Sequence, residues 1–250
     1  MIGVVGEGTD ALDAALEATG TALRSGSPED VIGADPDGIV ALGEAAMIEL
    51  VGGTIPDAPI LAVDAGEGFP AIGDASRGVA AAGGTSPGGD LADAVEAFGD
   101  GAYSTVEHPV LGVTVGAERV GTAAFDAMVV TSDPGRISEY RVDADGELCQ
   151  VRADGVVVAT PAGSHGYARS AGGPRMRIGA DALAVVPVAT FTMDSDRWVV
   201  APDAPVEIAS QRDVPVSLLL DHGRRELPPD ARVTVEATGT ITLAVPDSPG

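Results

Sequence analysis

Residues 153–174 read Ala-Asp-Gly-Val-Val-Val-Ala-Thr-Pro-Ala-Gly-Ser-His-Gly-Tyr-Ala-Arg-Ser-Ala-Gly-Gly-Pro, and the fold of the second half of the chain is decided here. The three valines at 156–158 are β-branched and predict a buried strand. Residues 160–164 interrupt that strand with a proline and a glycine, which are typical of a turn. Residues 172–174, Gly-Gly-Pro, then end the element. The pattern predicts a strand, a turn and a short helix in immediate succession.

The turn is built from small side chains. Ala162, Gly163 and Gly166 keep bulk away from the backbone, so a ligand can approach the main chain. Ser164 and Ser170 add hydroxyl groups, and successive N–H groups in such a turn suit an anion. These residue types therefore predict a binding turn for a ligand that carries negative charge.

The same residues resemble the signature of the NAD kinase family, in which an Asp-Gly-hydrophobic strand leads into T-P-T-G-S-T-A-Y and then S-A-G-G-P. The matching positions are Asp154, Thr160, Pro161, Gly163, Ser164, Tyr167 and 170–174. Ala162, His165 and Gly166 stand where the family has Thr, Thr and Ala. The resemblance implies a dinucleotide site. The alternative is a glycine-rich connection that binds no ligand.

A second part of the resemblance concerns phosphoryl transfer. Residues 42–46, Leu-Gly-Glu-Ala-Ala, stand where the family has G-G-D-G-T, whose Asp is the expected base for the ribose 2′-hydroxyl. Glu44 keeps a carboxylate that can accept a proton. The side chains of Leu42 and Ala45 would push a triphosphate outward, and positioning governs this chemistry. The alternative is that Glu44 only starts a solvated helix, since acids favour helix N-termini.

Two further positions depart from the family. Phe125-Asp126 stands where the family has Asn-Glu or Asn-Asp, and Asp64 stands for an Asn in the segment 59–69. Asp126 keeps a carboxylate, whereas we expect Phe125 to pack in a core. The resemblance thus implies Glu44 as the catalytic residue and no metal-ligating residue. It implies nucleotide binding by Gly43, Asp64, Asp126, Asp154, Thr160, Ser164, His165, Gly166, Tyr167 and Ser170.

The charge balance is extreme, with 38 acidic residues against 14 basic ones and a net charge of −24. All 14 basic residues are arginine. A self-repelling acidic surface argues against nucleic acid or an anionic membrane as partner and is typical of solubility in concentrated salt. We therefore expect a halophilic protein.

The sequence argues against a disulfide-bonded protein, a histidine metal site and a membrane-spanning protein. Cys149 is the only cysteine, so no internal disulfide can form. The three histidines lie far apart, which argues against a histidine metal site. The longest apolar runs are shorter than the ~18 residues of a membrane span, and no basic leader begins the chain. We expect a cytoplasmic protein.

The apolar pattern predicts two domains. Residues 1–98 alternate strands with helices, which indicates an α/β domain with a parallel sheet. A helix is expected after Gly6, where Leu12, Leu16 and Leu23 recur, and the glycine-rich segment 83–90 precedes the boundary. Residues 99–250 carry short β-branched runs between turns, which indicates a mainly β, sandwich-like domain. Predicted elements are strands at 1–5, 39–42, 59–63, 110–115, 127–131, 140–142, 156–159, 183–188, 198–201, 206–209, 216–220, 233–237 and 240–245, and helices at 44–50 and 91–98.

Three hypotheses follow for function. The first is an NAD kinase-like enzyme that makes NADP from NAD with ATP or another phosphate donor, with Mg²⁺ accompanying ATP as the resemblance implies. The second is a relative that binds nucleotides and has lost transfer chemistry. The third is a scaffold or assembly partner. The resemblance also implies a homo-oligomer.

Overall fold

Two compact units make up the chain, one of Met1–Glu107 with Ile241–Gly250 and one of His108–Thr240. A computed structural model describes residues 1–7, 14, 20–69, 91–133, 138–191 and 196–246. The helix expected around Leu12 and the glycine-rich segment 83–90 lie outside these described residues. The domain boundary between residues 98 and 99 stays a prediction.

A parallel sheet with helices forms the first unit, which confirms the α/β prediction. Its strand order is β2-β1-β3-β4, and each neighbouring pair is parallel. The strands are β1 (Ile2–Val5), β2 (Leu23–Ser25), β3 (Gly38–Leu42) and β4 (Ile60–Val63). The helices are α1 (Pro28–Ile32), α2 (Gly43–Gly52) and α3 (Leu91–Gly99). The end of a long strand, β16 (Arg232–Pro246), joins β4 in parallel.

Strands β1, β3 and β4 are buried almost throughout, because helices cover the sheet. Val95 and Phe98 of α3 pack against Val40 and Leu61 on one face. Leu23, expected in the first helix, instead begins the exposed strand β2. The short helix α1 was not predicted, although Ser27 at its N-cap accepts a hydrogen bond from the N–H of Asp30.

Two sheets facing each other form the second unit, which confirms the sandwich prediction. One contains β5 (Tyr103–Val115), β6 (Glu118–Ala123), β8 (Ser138–Asp143), β9 (Glu147–Ala153), β13 (Val206–Ser210) and β16. The other is antiparallel, in the order β12-β11-β10-β7-β14-β15. Its strands are β7 (Asp126–Thr131), β10 (Gly155–Ala159), β11 (Leu183–Val188), β12 (Trp198–Val200), β14 (Val216–Leu220) and β15 (Gly223–Leu227).

Strand β10 shows why the valine run has no polar alternation. Val156 and Val158 belong to the core between the two sheets. Val157 faces the other way, into a second apolar cluster with Ala168 and Met176. Both faces of β10 are therefore buried, and a continuous apolar run is the expected pattern for such a strand.

The sequence pattern missed the strands β2, β6, β9 and β15, which carry charged residues. Strand β15 lies at a sheet edge with four of its five residues exposed, so it shows no apolar signal. The strands predicted at 233–237 and 240–245 are one strand, β16. None of the described helices has the length and apolar character needed to cross a membrane.

Burial of His108 makes the stability of the fold depend on pH. Its Nε2–H donates to the carbonyl oxygen of Ala124 over 3.2 Å, and the side chain is fully buried. Burial lowers the pKa of His108 to about 4, against the effect of that hydrogen bond. The unfolded chain binds the proton below its ordinary pKa of about 6.5, whereas the folded chain stays neutral until about 4. Stability is therefore lost as the pH falls through this window.

We expect His108 to account for about 3 kcal/mol of lost unfolding free energy between pH 6.5 and 4. Urea unfolding at several pH values measures this loss. The unfolding free energy of His108→Gln should fall less than that of the wild type between pH 6.5 and 4. His222→Gln, at an exposed histidine, is the control and should keep the full dependence. If the unfolding free energies of wild type and His108→Gln fell equally with pH, the prediction would be wrong.

Candidate functional site

Carboxyl ends of the parallel strands bring Gly43, Glu44 and Asp64 together in the first unit. Leu42 of β3 pairs with Val63 of β4, so Gly43 and Asp64 follow side by side at the same edge of the sheet. Both have backbone φ angles in the left-handed region, +83° and +50°. Ligands of open parallel sheets bind at this edge. The geometry therefore places two predicted nucleotide-binding residues next to the predicted base.

Glu44 is exposed and occupies the first turn of helix α2. Leu42 stands at the N-cap and gives no side-chain capping bond, so Glu44 supplies the negative charge that a helix N-terminus favours. Ala45 beside it is exposed, whereas Ala46 and Met47 pack into the core. Glu44 thus serves the helix and also presents a carboxylate to solvent at the edge of the sheet.

In the second unit, the hydroxyl of Thr160 makes hydrogen bonds to main-chain atoms of the protein. Its side chain is fully buried, and its hydroxyl lies 2.9 Å from the carbonyl oxygen of Ala124 and 3.0 Å from that of Phe125. The same hydroxyl oxygen accepts the N–H of Gly163 over 3.2 Å. Thr160 therefore joins the turn after β10 to the turn before β7.

Ser164 is also fully buried, and its hydroxyl donates to the carbonyl oxygen of Pro161 over 2.7 Å. The same oxygen accepts the N–H of Met176 over 2.8 Å. His165 follows on the half-buried side of the turn, and its Nε2–H donates to the carbonyl oxygen of Met176 over 2.9 Å. Arg175 donates to the other ring nitrogen, Nδ1, over 3.3 Å. These bonds fix the turn against the segment that follows Pro174.

Asp221 organises the turn that contains Phe125 and Asp126. Its carboxylate accepts the N–H groups of Ala124, Phe125 and Asp126 over 2.8, 2.9 and 3.1 Å. Burial raises the pKa of the Asp221 carboxyl, and these three donors oppose that effect. Phe125 is 7% exposed, as its predicted core packing requires, and Asp126 is also buried. The structural role of Asp221 was missed, although its Asp-His-Gly turn resembles a late Asp-Gly turn of the family.

Three predicted binding residues in this region are exposed, namely Gly166, Tyr167 and Ser170. The last two belong to helix α4 (Tyr167–Ser170), and the Tyr167 side chain is 60% exposed. Ser170 donates its hydroxyl to the carbonyl oxygen of Gly166 over 3.3 Å. Among the predicted binding residues near the turn, these three meet solvent, whereas Thr160 and Ser164 lie beneath.

Asp154 lies apart from the turn. It is exposed immediately before β10, whereas Thr160 follows the last residue of that strand. Six residues of extended chain separate the two by about 20 Å. The motif includes residues at both ends of β10. Residues that are close in the motif are therefore not all close in the structure.

Metal ligands do not gather within the described ranges: no three His, Cys, Asp or Glu side chains there form a set that could hold an ion. Magnesium bound mainly by a triphosphate needs only one or two protein carboxylates. Asp64, which lies at the sheet edge beside Gly43, fits that smaller requirement.

Comparison with known proteins gives the family. The ATP-NAD kinase C-terminal domain matches residues 126–243. An NAD kinase of Thermococcus sibiricus is 30% identical over 230 residues, which cover 88% of this chain and 77% of that protein. The chain belongs to the NAD kinase family.

Other members of the NAD kinase family match over shorter lengths. The NAD kinase of Methanopyrus kandleri is 34% identical over 154 residues, covering 61% of this chain and 52% of that protein. The chain spans about half the length of several of the curated relatives it matches. A crystal structure of an NAD kinase from Archaeoglobus fulgidus in complex with ATP shares the fold, with a TM-score of 0.72, 20% identity and coverage of 98% and 94% of the two chains.

Gly163 offers a test of this NAD kinase turn. A Cβ atom at Gly163 would lie 2.0 Å from the carbonyl oxygen of Phe125, which is main chain and cannot yield. We expect Gly163→Ala to lower the unfolding free energy by about 2 kcal/mol. In the helix α2, a Cβ atom at Gly52 meets nothing within 4 Å, so Gly52→Ala should leave stability unchanged or higher. Denaturant unfolding measures both, and equal stability of the two variants would refute the packing argument.

Proposed function

We propose that the chain is an NAD kinase that transfers the γ-phosphoryl group of ATP to the 2′-hydroxyl of the adenosine ribose of NAD, giving NADP and ADP. Membership of the family supports this proposal, and one observation carries it. Glu44 presents an exposed carboxylate at the carboxyl end of a buried parallel strand, beside Gly43 and Asp64. Phosphoryl transfer to the ribose 2′-hydroxyl needs a base that takes the hydroxyl proton, and an exposed carboxylate at this edge can serve as that base.

In the proposed reaction, the Glu44 carboxylate accepts the proton of the 2′-hydroxyl. The 2′-oxygen forms a bond to the γ-phosphorus while the bond to the ADP oxygen breaks. The left-handed backbone at Gly43 leaves its main chain open to a phosphate, because a Cβ atom is absent. Mg²⁺ bound to ATP would neutralise phosphate charge, and Asp64 is the carboxylate that would meet it, which leaves Glu44 to act as the base. Phosphoryl transfer depends mostly on such positioning and charge stabilisation.

For the dinucleotide, we propose contact with the exposed Gly166, Tyr167 and Ser170, and with His165 beside them. Thr160 and Ser164 then act by shaping the turn, since their hydroxyl groups already bond to the main chain. Asp126 contributes a carboxylate next to the turn, because it pairs with Ala159 across β7 and β10.

A second candidate is a nucleotide-binding relative without transfer chemistry. The burial of Phe125 favours it, since an apolar ring has replaced an amide that makes hydrogen bonds. Leu42 and Ala45 in place of glycine favour it further. Both candidates bind an adenine nucleotide, and only the first makes product.

Glu44→Ala should lower the rate of NADP formation by about 100-fold or more, because a general base contributes on that scale. Glu44→Asp should retain activity, as a shorter carboxylate matches the family. Glu49→Ala, at an exposed glutamate on the same helix, is the matched control with the same charge change and should remain active. The assay uses NAD, ATP and Mg²⁺ in molar salt, which screens the net charge of −24. Wild type that binds NAD without forming NADP would favour the second candidate.

We further propose a homo-oligomer that works in a salt-rich cytoplasm. The position of Asp154 supports the oligomer, because it lies about 20 Å along β10 from the turn it was predicted to join. A second copy of the chain can supply Asp154 to a site where the first copy supplies Glu44.

Shared sites predict complementation between variants. Glu44→Ala and Asp154→Asn should each be nearly inactive alone, whereas co-refolded mixtures should regain about a quarter of wild-type activity through sites that draw both intact residues from different copies. Light scattering during the assay gives the oligomeric state. Absence of regained activity in mixed oligomers would remove the shared site and leave the kinase proposal intact.

A further inference from the structure

Several arginines lie in and after the glycine-rich turn of a chain that is otherwise strongly acidic. Four of the 14 basic residues, Arg169, Arg175, Arg177 and Arg197, lie within 29 residues. Arg197 donates to the carbonyl oxygen of Ala171 over 3.1 Å and so braces the end of the turn. Arg175 instead contacts a side chain, the imidazole of His165.

The guanidinium of Arg175 is held by the imidazole of His165. Its Nη2 donates to Nδ1 of His165 over 3.3 Å, while Nε2–H of the same ring donates to the carbonyl oxygen of Met176 over 2.9 Å. Arginine has no acceptor, so Nδ1 must carry a lone pair and the ring must be the neutral Nε2–H tautomer. Two hydrogen bonds therefore fix the ring, and the ring in turn orients the guanidinium.

The charge of Arg175 is left uncompensated by this arrangement. A carboxylate partner would neutralise the guanidinium, whereas a neutral imidazole only orients it. Across the ranges that the structure describes, Arg175 makes no ion pair with a carboxylate. The side chain is exposed, and an arginine presents five N–H donors, of which the ring engages one. The remaining donors face solvent beside the turn.

We propose that Arg175, positioned by His165, binds a phosphate group of the adenine nucleotide at the turn formed by residues 163–170. This inference rests on the proposed function and adds a residue that it does not use. Arginine recognises phosphate through paired, charge-assisted hydrogen bonds, and these are about twice as strong as neutral ones. His165 departs from the Thr of the family's motif, so the pair is a feature of this chain.

A purely structural role is the competing explanation. The segment after Pro174 is already fixed to the turn by the N–H of Met176, which donates to Ser164, and by His165 itself. These two hydrogen bonds hold the segment without a contribution from the exposed guanidinium of Arg175. The two explanations differ in one measurable respect, since a phosphate contact affects only ligands that carry phosphate.

The experiment measures calorimetric affinities of the full chain for NAD, AMP and adenosine at the lowest salt that keeps it folded. Arg175→Ala should weaken NAD and AMP about tenfold and leave adenosine unchanged. Arg175→Lys should weaken them less, because it keeps the charge and loses the paired geometry. Arg177→Ala is the matched control, since it removes the same charge two residues away at an exposed position, and should change none of the three.

Each other outcome overturns the inference. Equal weakening of adenosine and NAD by Arg175→Ala would show a structural role, and equal effects of Arg177→Ala would show general electrostatics. Normal NAD affinity in Arg175→Ala would remove the contact while the proposed kinase stands. If wild type binds none of the three ligands, the proposed function fails together with this inference.

Discussion

A single turn, Ala124-Phe125-Asp126, carries the main-chain bonds on which the arrangement of the second unit depends. Its three N–H groups all donate to the Asp221 carboxylate. The carbonyl oxygen of Ala124 accepts from both His108 and Thr160, so both of its lone pairs are used. Buried main-chain groups without partners are costly. Three side chains from distant parts of the sequence must therefore converge before this turn can be buried.

Because of these bonds, the residues that support the turn differ from the residues that can contact a ligand. Thr160 and Ser164 are the residues whose type suggests ligand contact, yet their hydroxyl groups satisfy buried main-chain atoms. The exposed positions of the same turn, such as Tyr167, then remain available for a ligand. A hydroxyl that bonds to the protein in both directions has little capacity left for a nucleotide. Rigidity beneath the turn is what allows a small exposed surface to hold a defined geometry.

The sequence predicts best what depends on burial alone. Strand β10 and its neighbour β11 are buried on both faces, so their apolar runs identify them without knowledge of any neighbour. Edge strand β15 gives no such signal, because it is defined by its hydrogen bonds to β14. The same limit applies to the site. The sheet edge with Glu44 follows from a strand-then-helix pattern, whereas the bonds of Asp221 across 95 to 97 residues follow only from the folded chain.

Phe125 shows why membership of a family and activity are separable here. The N–H of Phe125 donates to Asp221, and its carbonyl oxygen accepts the main-chain N–H of Thr160, so the turn uses main-chain atoms of this residue. Those bonds are the same for any side chain. An asparagine can therefore be exchanged for phenylalanine without loss of the turn, and the ring finds burial as compensation. Selection for folding leaves such a position free to change, so the fold is preserved whether or not transfer chemistry is. Activity must instead be decided at the sheet edge, where Glu44 is exposed in the first turn of helix α2.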